Sequence, residues 1–197
     1  VDSGRWLVWN GRLWQPDNIG QVDRLAREVV RSMHDLLKDA SSKEESDGLY
    51  AHIKRSESAP RLSAMVELAR HCEGIPVQSH GLDADPWLFN VLNGTVDLRT
   101  GRLRAHSRAD LITKLAPVEY NPEATCPRWE QFLEEIFEQD TERIRFVPRV
   151  IGYSLTGNTR EQCFFVFQGK GSNGKRVLLE TLRRVLGDYA GDTPITT

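Results

Sequence analysis

The chain has 197 residues, 39% of them hydrophobic and 27% charged, with a formal net charge of −2. Such a chain is long enough for one large domain or two small ones. Its charge balance excludes a global electrostatic pull toward nucleic acid, and no apolar run reaches the length of a membrane span. Cys72, Cys126 and Cys163 lie far apart without Cys-x2-Cys spacing. They read as reduced, mostly buried thiols of a cytosolic protein rather than a disulfide framework or a zinc site. Val1 is not an initiator Met, so the chain is expected to be a segment of something longer.

In chain order, Trp6–Trp9, Asn10-Gly11 and Arg12–Trp14 predict a β-hairpin closed by a type I′ turn. From Gly20 to about Asp39, Val22, Leu25, Val29, Met33 and Leu36 trace one face of a helix of roughly five turns. Ala40 to Gly48 is polar and lacks an apolar face, which predicts a surface loop before a short helix over Leu49–Arg55. Pro60 opens a further helix that stops at Gly74. A small antiparallel sheet is predicted over Trp87–Leu92, Thr95–Leu98 and Arg102–Ala105, with turns at Asn93-Gly94 and Thr100-Gly101.

Arg99, Arg102, Arg104 and Arg108, with His106, stand together without an acid among them. They are candidate phosphate contacts for DNA. A solvated, aggregation-resistant sheet edge accounts for them without any function. Two helices follow, one from Pro127 and one over about Thr141–Leu155, with Pro148 inside the second, where a kink is expected.

The most informative stretch lies near the end. Cys163–Gln168 (Cys-Phe-Phe-Val-Phe-Gln) has no alternation and reads as a strand buried on both faces. A glycine-rich loop follows, Gly169, Gly171, Ser172, Asn173, Gly174 and Lys175, and then a helix to Gly187. Strand, glycine loop and helix form the context of a phosphate-binding loop, in which backbone N–H groups and Lys175 converge on one anion. The pattern Gly-x4-Gly-Lys-[Ser/Thr] is missed only at its last place. Arg176 stands where a hydroxyl should ligate Mg²⁺, and a guanidinium has only donors. No residue is assigned as a catalytic group or a metal ligand.

Phe89–Leu103, Tyr120–Pro127, Ile151–Gly157 and Gly169–Lys175, in this order and spacing, resemble the helicase half of phage and plasmid primases. These are superfamily 3 helicases, kin of the poxvirus primase-helicase. The resemblance implies an α+β chain with three parts. A mixed helical and small-sheet front domain would occupy residues 1–126, a helical collar 127–160, and the opening strand, loop and helix of an incomplete α/β ATPase 161–197. It also implies ATP and Mg²⁺ as cofactors of the full-length protein, single-stranded DNA as partner, a hexameric ring, and a place in the bacterial cytoplasm.

The isolated chain is expected to be inactive. Two readings remain beside the helicase: a non-enzymatic binding or assembly module (or prophage remnant) with a disabled loop, and a small-molecule P-loop kinase. Residues 1–160 are expected to fold without the P-loop segment.

Overall fold

Trp9 pairs with Trp14 in the N-terminal hairpin, β1 (Leu7–Trp9) against β2 (Trp14–Pro16), in the computed structural model, which describes residues 4–171 and 173–193. Four residues, Asn10 to Leu13, therefore connect the strands, and the predicted two-residue type I′ turn is not formed. The two indole rings pack tilted with centroids 5.8 Å apart, and this cross-strand pair sets where the ladder ends.

The chain then enters α1 (Gln21–Ser32). Gly20 caps it in a left-handed conformation without a side-chain bond. The missing cap comes from Asp17. Its carboxylate accepts the N–H groups of Gln21 and Val22, both at 2.8 Å, and that of Ile19 at 3.3 Å. Three backbone donors on one anion, that of Val22 foremost, hold the Asp17 carboxyl below its ordinary value of 3.8. A depressed folded-state pKa means that its stabilising contribution is complete above 3.8 and is lost as pH falls through the lower, folded value. Asp17→Ala is expected to cost about 1 kcal/mol at neutral pH, read by chemical denaturation, and the deficit should vanish once wild-type Asp17 is itself protonated. A deficit that persists unchanged in acid would rule out the charged cap.

The α-helix ends at Ser32, and Met33–Asp39 continue as 3₁₀ turns, shortening the predicted five-turn helix. Its buried residues are Ala26 and Val30, while Leu25 and Val29 are about half exposed. Packing uses the i, i+4 row of Val22, Ala26 and Val30 rather than the neighbouring row. The predicted loop over Ala40–Gly48 is corrected by α2 (Lys43–Ser56). Ser42 Oγ accepts the Glu45 N–H at 3.1 Å, and the Glu45 carboxylate accepts the Ser41 N–H at 2.8 Å. With Ser42 at the N-cap and Glu45 reaching back to the residue before it, this variant of the capping box starts the helix six residues before its first large apolar residue. Ile53 is its fully buried anchor. Helix α3 (Ala59–Ala69) opens with Pro60 as predicted.

Strands β3 (Leu88–Val91), β4 (Gly94–Asp97) and β5 (Arg102–Arg104) form an antiparallel meander, with Phe89 opposite Val96 and Thr95 opposite Arg104. Helices α4 (Pro127–Ile136), α5 (Thr141–Leu155) and α6 (Lys175–Leu186) follow. Asp140 caps α5 through the N–H groups of Glu142 and Arg143, and the helix runs on through Pro148. With six helices and two small antiparallel sheets among the described residues, the fold is α+β.

The chain forms two compact units, one of residues 1–10 and 14–82, the other of residues 11–13 and 83–197. The division by role drawn from the sequence, at 126 and 160, cuts the chain at other places. The second unit has two apolar clusters. Phe89, Val91, Val96 and Ala116 form the first, joined by Leu155, Leu186 and Tyr189; Leu133, Val147 and Leu178, from α4, α5 and α6, form the second.

Candidate functional site

Helix α6 is the best-formed part of the predicted phosphate loop. Its apolar residues recur at helical spacing, Leu178 is buried against α4 and α5, and Gly187 ends it at φ 54. Its first intrahelical bond runs from Leu178 N–H to Gly174 O at 2.9 Å. The N–H groups of Lys175, Arg176 and Val177 consequently have no intrahelical partner, and the positive end of the helix dipole lies at the loop.

Gly174, the N-cap, has φ 78, and a Cβ there would run into Ile136 Cγ2 and lie 3.3 Å from Phe132 Cε2. A glycine is required for two separable reasons, left-handed backbone and close approach to α4. Lys175 Nζ donates to Gly169 O at 2.9 Å and to Asn173 Oδ1 at 2.7 Å. A side chain on Gly169 would meet the Asn173 amide. The ammonium thus closes the loop on itself, using two oxygens of the kind that a phosphate would present. Gly171 has open space beside it, and Ser172 lies outside the described residues.

Arg176 turns away from this loop. Its side chain is 92% exposed, and its nearest charge is Glu180, at 3.9 Å one turn along α6. The donor set fits a phosphate, with a lysine, a helix N-terminus and glycines. It does not fit Mg²⁺, since the described loop offers no hydroxyl or carboxylate beside Lys175.

The preceding segment departs from expectation. Cys163–Gln168 forms no ladder with any described strand and is exposed, with Phe164 at 85% and Val166 at 74%. An apolar run becomes a buried strand only when partner strands flank it, and no described strand does so. Phe165 alone finds aromatic neighbours, packing edge-on to Phe146 and Tyr153. The cysteines are corrected too: Cys72, Cys126 and Cys163 are all exposed free thiols.

In the basic window the acids absent from the local sequence arrive from elsewhere in the second unit. Arg104 forms a bidentate pair with Asp110, both bonds at 2.8 Å, and this bonding raises its pKa further above the ordinary arginine value. Arg99 lies 3.4 Å from Asp85 and 5.1 Å from the centre of the Trp87 ring. Arg102 sits on the exposed edge strand opposite Asp97. Arg108 is exposed in the turn after β5.

His106 points inward. Its Nδ1 is 2.9 Å from Asn90 Oδ1, and its Nε2 is buried without a partner among the described residues. Asn90, fully buried, is a residue that the sequence did not single out. Its NH₂ donates to the carbonyls of Arg12 (3.1 Å) and Lys114 (3.0 Å), and its Oδ1 accepts from Thr95 Oγ1 (3.2 Å). Two carbonyls on one side fix the amide orientation, so His106 must donate through Nδ1. A lone Asn inside an apolar strand run was the available signal.

Similarity to known proteins relates this chain to a helicase-like family, as an N-terminal-like region. More narrowly, it belongs to the D5 N terminal like family, which matches residues 1–138 and so covers both sheets and α1 to α4. The chain is also similar to the "Putative helicase L207/L206" of Acanthamoeba polyphaga mimivirus, with 30% identity over 111 residues. That alignment covers 54% of this chain and 12% of the viral protein, so the chain spans a small part of the relative that it matches.

Proposed function

We propose that the chain is the junction of a replicative primase-helicase, where the D5-type front region meets the opening loop and helix of a superfamily 3 ATPase. In the whole protein, a hexameric ring in the host cytoplasm would bind ATP with Mg²⁺ and convert its hydrolysis into movement along single-stranded DNA, during phage or plasmid replication. The single observation that supports this reading is the loop itself. Gly174 opens a twelve-residue helix in a left-handed conformation, and Lys175 is held over the loop by two oxygens.

When bound, ATP would supply the phosphoryl group. The residues of this chain would bind and orient. Lys175 would exchange Gly169 O and Asn173 Oδ1 for phosphate oxygens, and the free N–H groups of α6 would donate to the anion. With Arg176 in place of a hydroxyl and turned toward Glu180, binding should be weak and independent of metal. Titration of the chain with ATP, with and without Mg²⁺, is expected to give equal affinities, and Lys175→Ala to abolish both. Binding unaffected by Lys175→Ala would sink the phosphate-loop reading. The same arginine favours the second reading, a binding or assembly module with a disabled loop, for the chain by itself.

Contact with DNA would use the hairpin carrying Arg99, Arg102, Arg104 and Arg108. Replacing all four by Ala should flatten the dependence of binding on salt, by roughly 0.7 in the logarithmic slope for each single-strand phosphate that the variant no longer neutralises. Filter binding across a salt series reads this directly. An unchanged slope would move the DNA-binding surface elsewhere.

A further inference from the structure

The stretch from Arg143 to Arg160 holds four arginines and no acid. Arg143 pairs with Asp140 at 3.2 Å. Arg145, Arg149 and Arg160 are exposed, and their guanidinium groups have no partner among the described residues. The hairpin window differs, because there Asp85 and Asp110 return in space to Arg99 and Arg104.

Helix α5 turns Ile144, Val147 and Ile151 toward the cluster shared with α4 and α6. At about 3.6 residues per turn, Arg145, Phe146, Arg149 and Tyr153 fall on the opposite face. Arg149 follows Phe146 by three residues and precedes Tyr153 by four, so it stands in one row between the two rings. Phe165 packs edge-on to both, its centroid 6.3 Å from that of Phe146 and 6.4 Å from that of Tyr153. Phe146 is 54% exposed and Phe165 37%. Glu142, in the first turn of α5, makes no ion pair with Arg145 among the described residues.

We propose that this face of α5 is a contact for a single-stranded polynucleotide, with Arg145 and Arg149 on phosphates and Phe146 and Phe165 beneath bases. The inference rests on the DNA-binding reading above and uses none of the hairpin arginines. Two unpaired guanidiniums one turn apart, about 6 Å, suit a chain that repeats its negative charge, and they bind phosphate oxygens while staying wet. Exposed rings offer flat faces to bases of any identity, and only a single strand presents base faces to them. A protein partner would have to supply carboxylates or leave two guanidiniums buried and unpaired, which is strongly unfavourable. A second copy docked about a two-fold axis would set the same arginines against one another.

The experiment is fluorescence anisotropy of the full chain with labelled oligothymidylate and with an abasic oligomer of equal length and charge, across a salt series. Wild type is expected to bind oligothymidylate roughly tenfold more tightly than the abasic strand for a single stacked base. Phe146→Ala and Phe146→Leu should each remove that preference, whereas Phe146→Trp should keep it. Arg145→Ala with Arg149→Ala should weaken binding to both strands and lower the logarithmic salt slope by about 0.7 for each phosphate lost. All three side chains face solvent, so none of these changes threatens the fold.

If oligothymidylate binds but the double arginine variant keeps the wild-type slope, this surface is overturned while the hairpin reading stands. Equal affinity of wild type for the abasic strand, or wild-type binding by Phe146→Leu, overturns the stacking and with it the proposal. Self-association through Phe146 in sedimentation, without oligonucleotide binding, would make the face a protein contact and overturn it as well. If the chain binds no single strand at all, this proposal and the hairpin reading fall together.

Discussion

A chain ending at residue 160 is expected to lose the tertiary structure of its second unit instead of being trimmed to a stable core. Such a chain lacks Leu178, 1% exposed between α4 and α5, and also Leu186 and Tyr189, which close the sheet cluster. Leu178→Ala alone should cost about 2–5 kcal/mol, a large share of the roughly 5–15 kcal/mol that holds a domain together. Tyr189 adds polar ties. Its hydroxyl accepts the Asn90 N–H at 3.0 Å, and Asp188 Oδ2 accepts the Leu115 N–H at 3.1 Å.

The experiment is amide exchange on residues 1–160. Protection should persist in α1 to α3 and disappear at Val91 and Val96; retained protection there would refute the claim. The full chain adds a pH test. Burial first of all pushes the Tyr189 hydroxyl up to about 12. The neutral form is therefore favoured in the folded state. Its contribution is complete below the ordinary tyrosine value of 10 and is lost as pH rises toward 12. Tyr189→Phe should flatten that alkaline loss in a denaturation series.

Asn90→Ala should be the most damaging single polar-to-apolar change in the second unit, at roughly 3–5 kcal/mol. Asn90 spends all four of its side-chain hydrogen-bonding positions, on Arg12 O, Lys114 O, Thr95 and His106. Alanine removes the partner of the buried Thr95 hydroxyl and of the inward-facing His106 ring. Asn90→Asp separates geometry from charge. A carboxylate would face two carbonyl oxygens without a donor between them, so this variant should be worse than alanine at neutral pH. It should recover part of its stability in acid, where a protonated carboxyl regains one donor. Denaturant melts at two pH values measure both. A loss below about 1 kcal/mol for Asn90→Ala would mean that water replaces the amide freely.

Where sequence signals were local and redundant, the fold was legible. Pro60, Pro127 and Gly187 mark helix ends that the structure keeps, and the residues around Asn93-Gly94 place the β3–β4 turn within one residue. Capping was less visible. Ser42 and Glu45 carry a complete helix-start signal, but a polar first turn hid it from a search for apolar periodicity. Similarly, Asp17 caps from outside the helix that it serves.

Long-range facts were out of reach. Asp85 stands 14 residues from Arg99, and nothing in an acid-free window announces that acids return to it in space. Cys163–Gln168 misled for a related reason, since hydrophobicity states what a segment can bury and not whether a partner strand is present. At the candidate site, the glycines and Lys175 could be read from the motif.

The hydrogen bond from Asn90 to Tyr189 spans 99 residues of chain. On a ribosome adding about 5–20 residues per second, Tyr189 would be synthesised roughly 5–20 s after Asn90. For that interval the strand holding Phe89 and Val91 exists without the ring that covers it, and its apolar side chains are open to other nascent chains and to chaperones. Loop closure over so long a separation is also slow in entropic terms. The meander should consequently mature later than α1 to α3, although its β3–β4 turn is only two residues long.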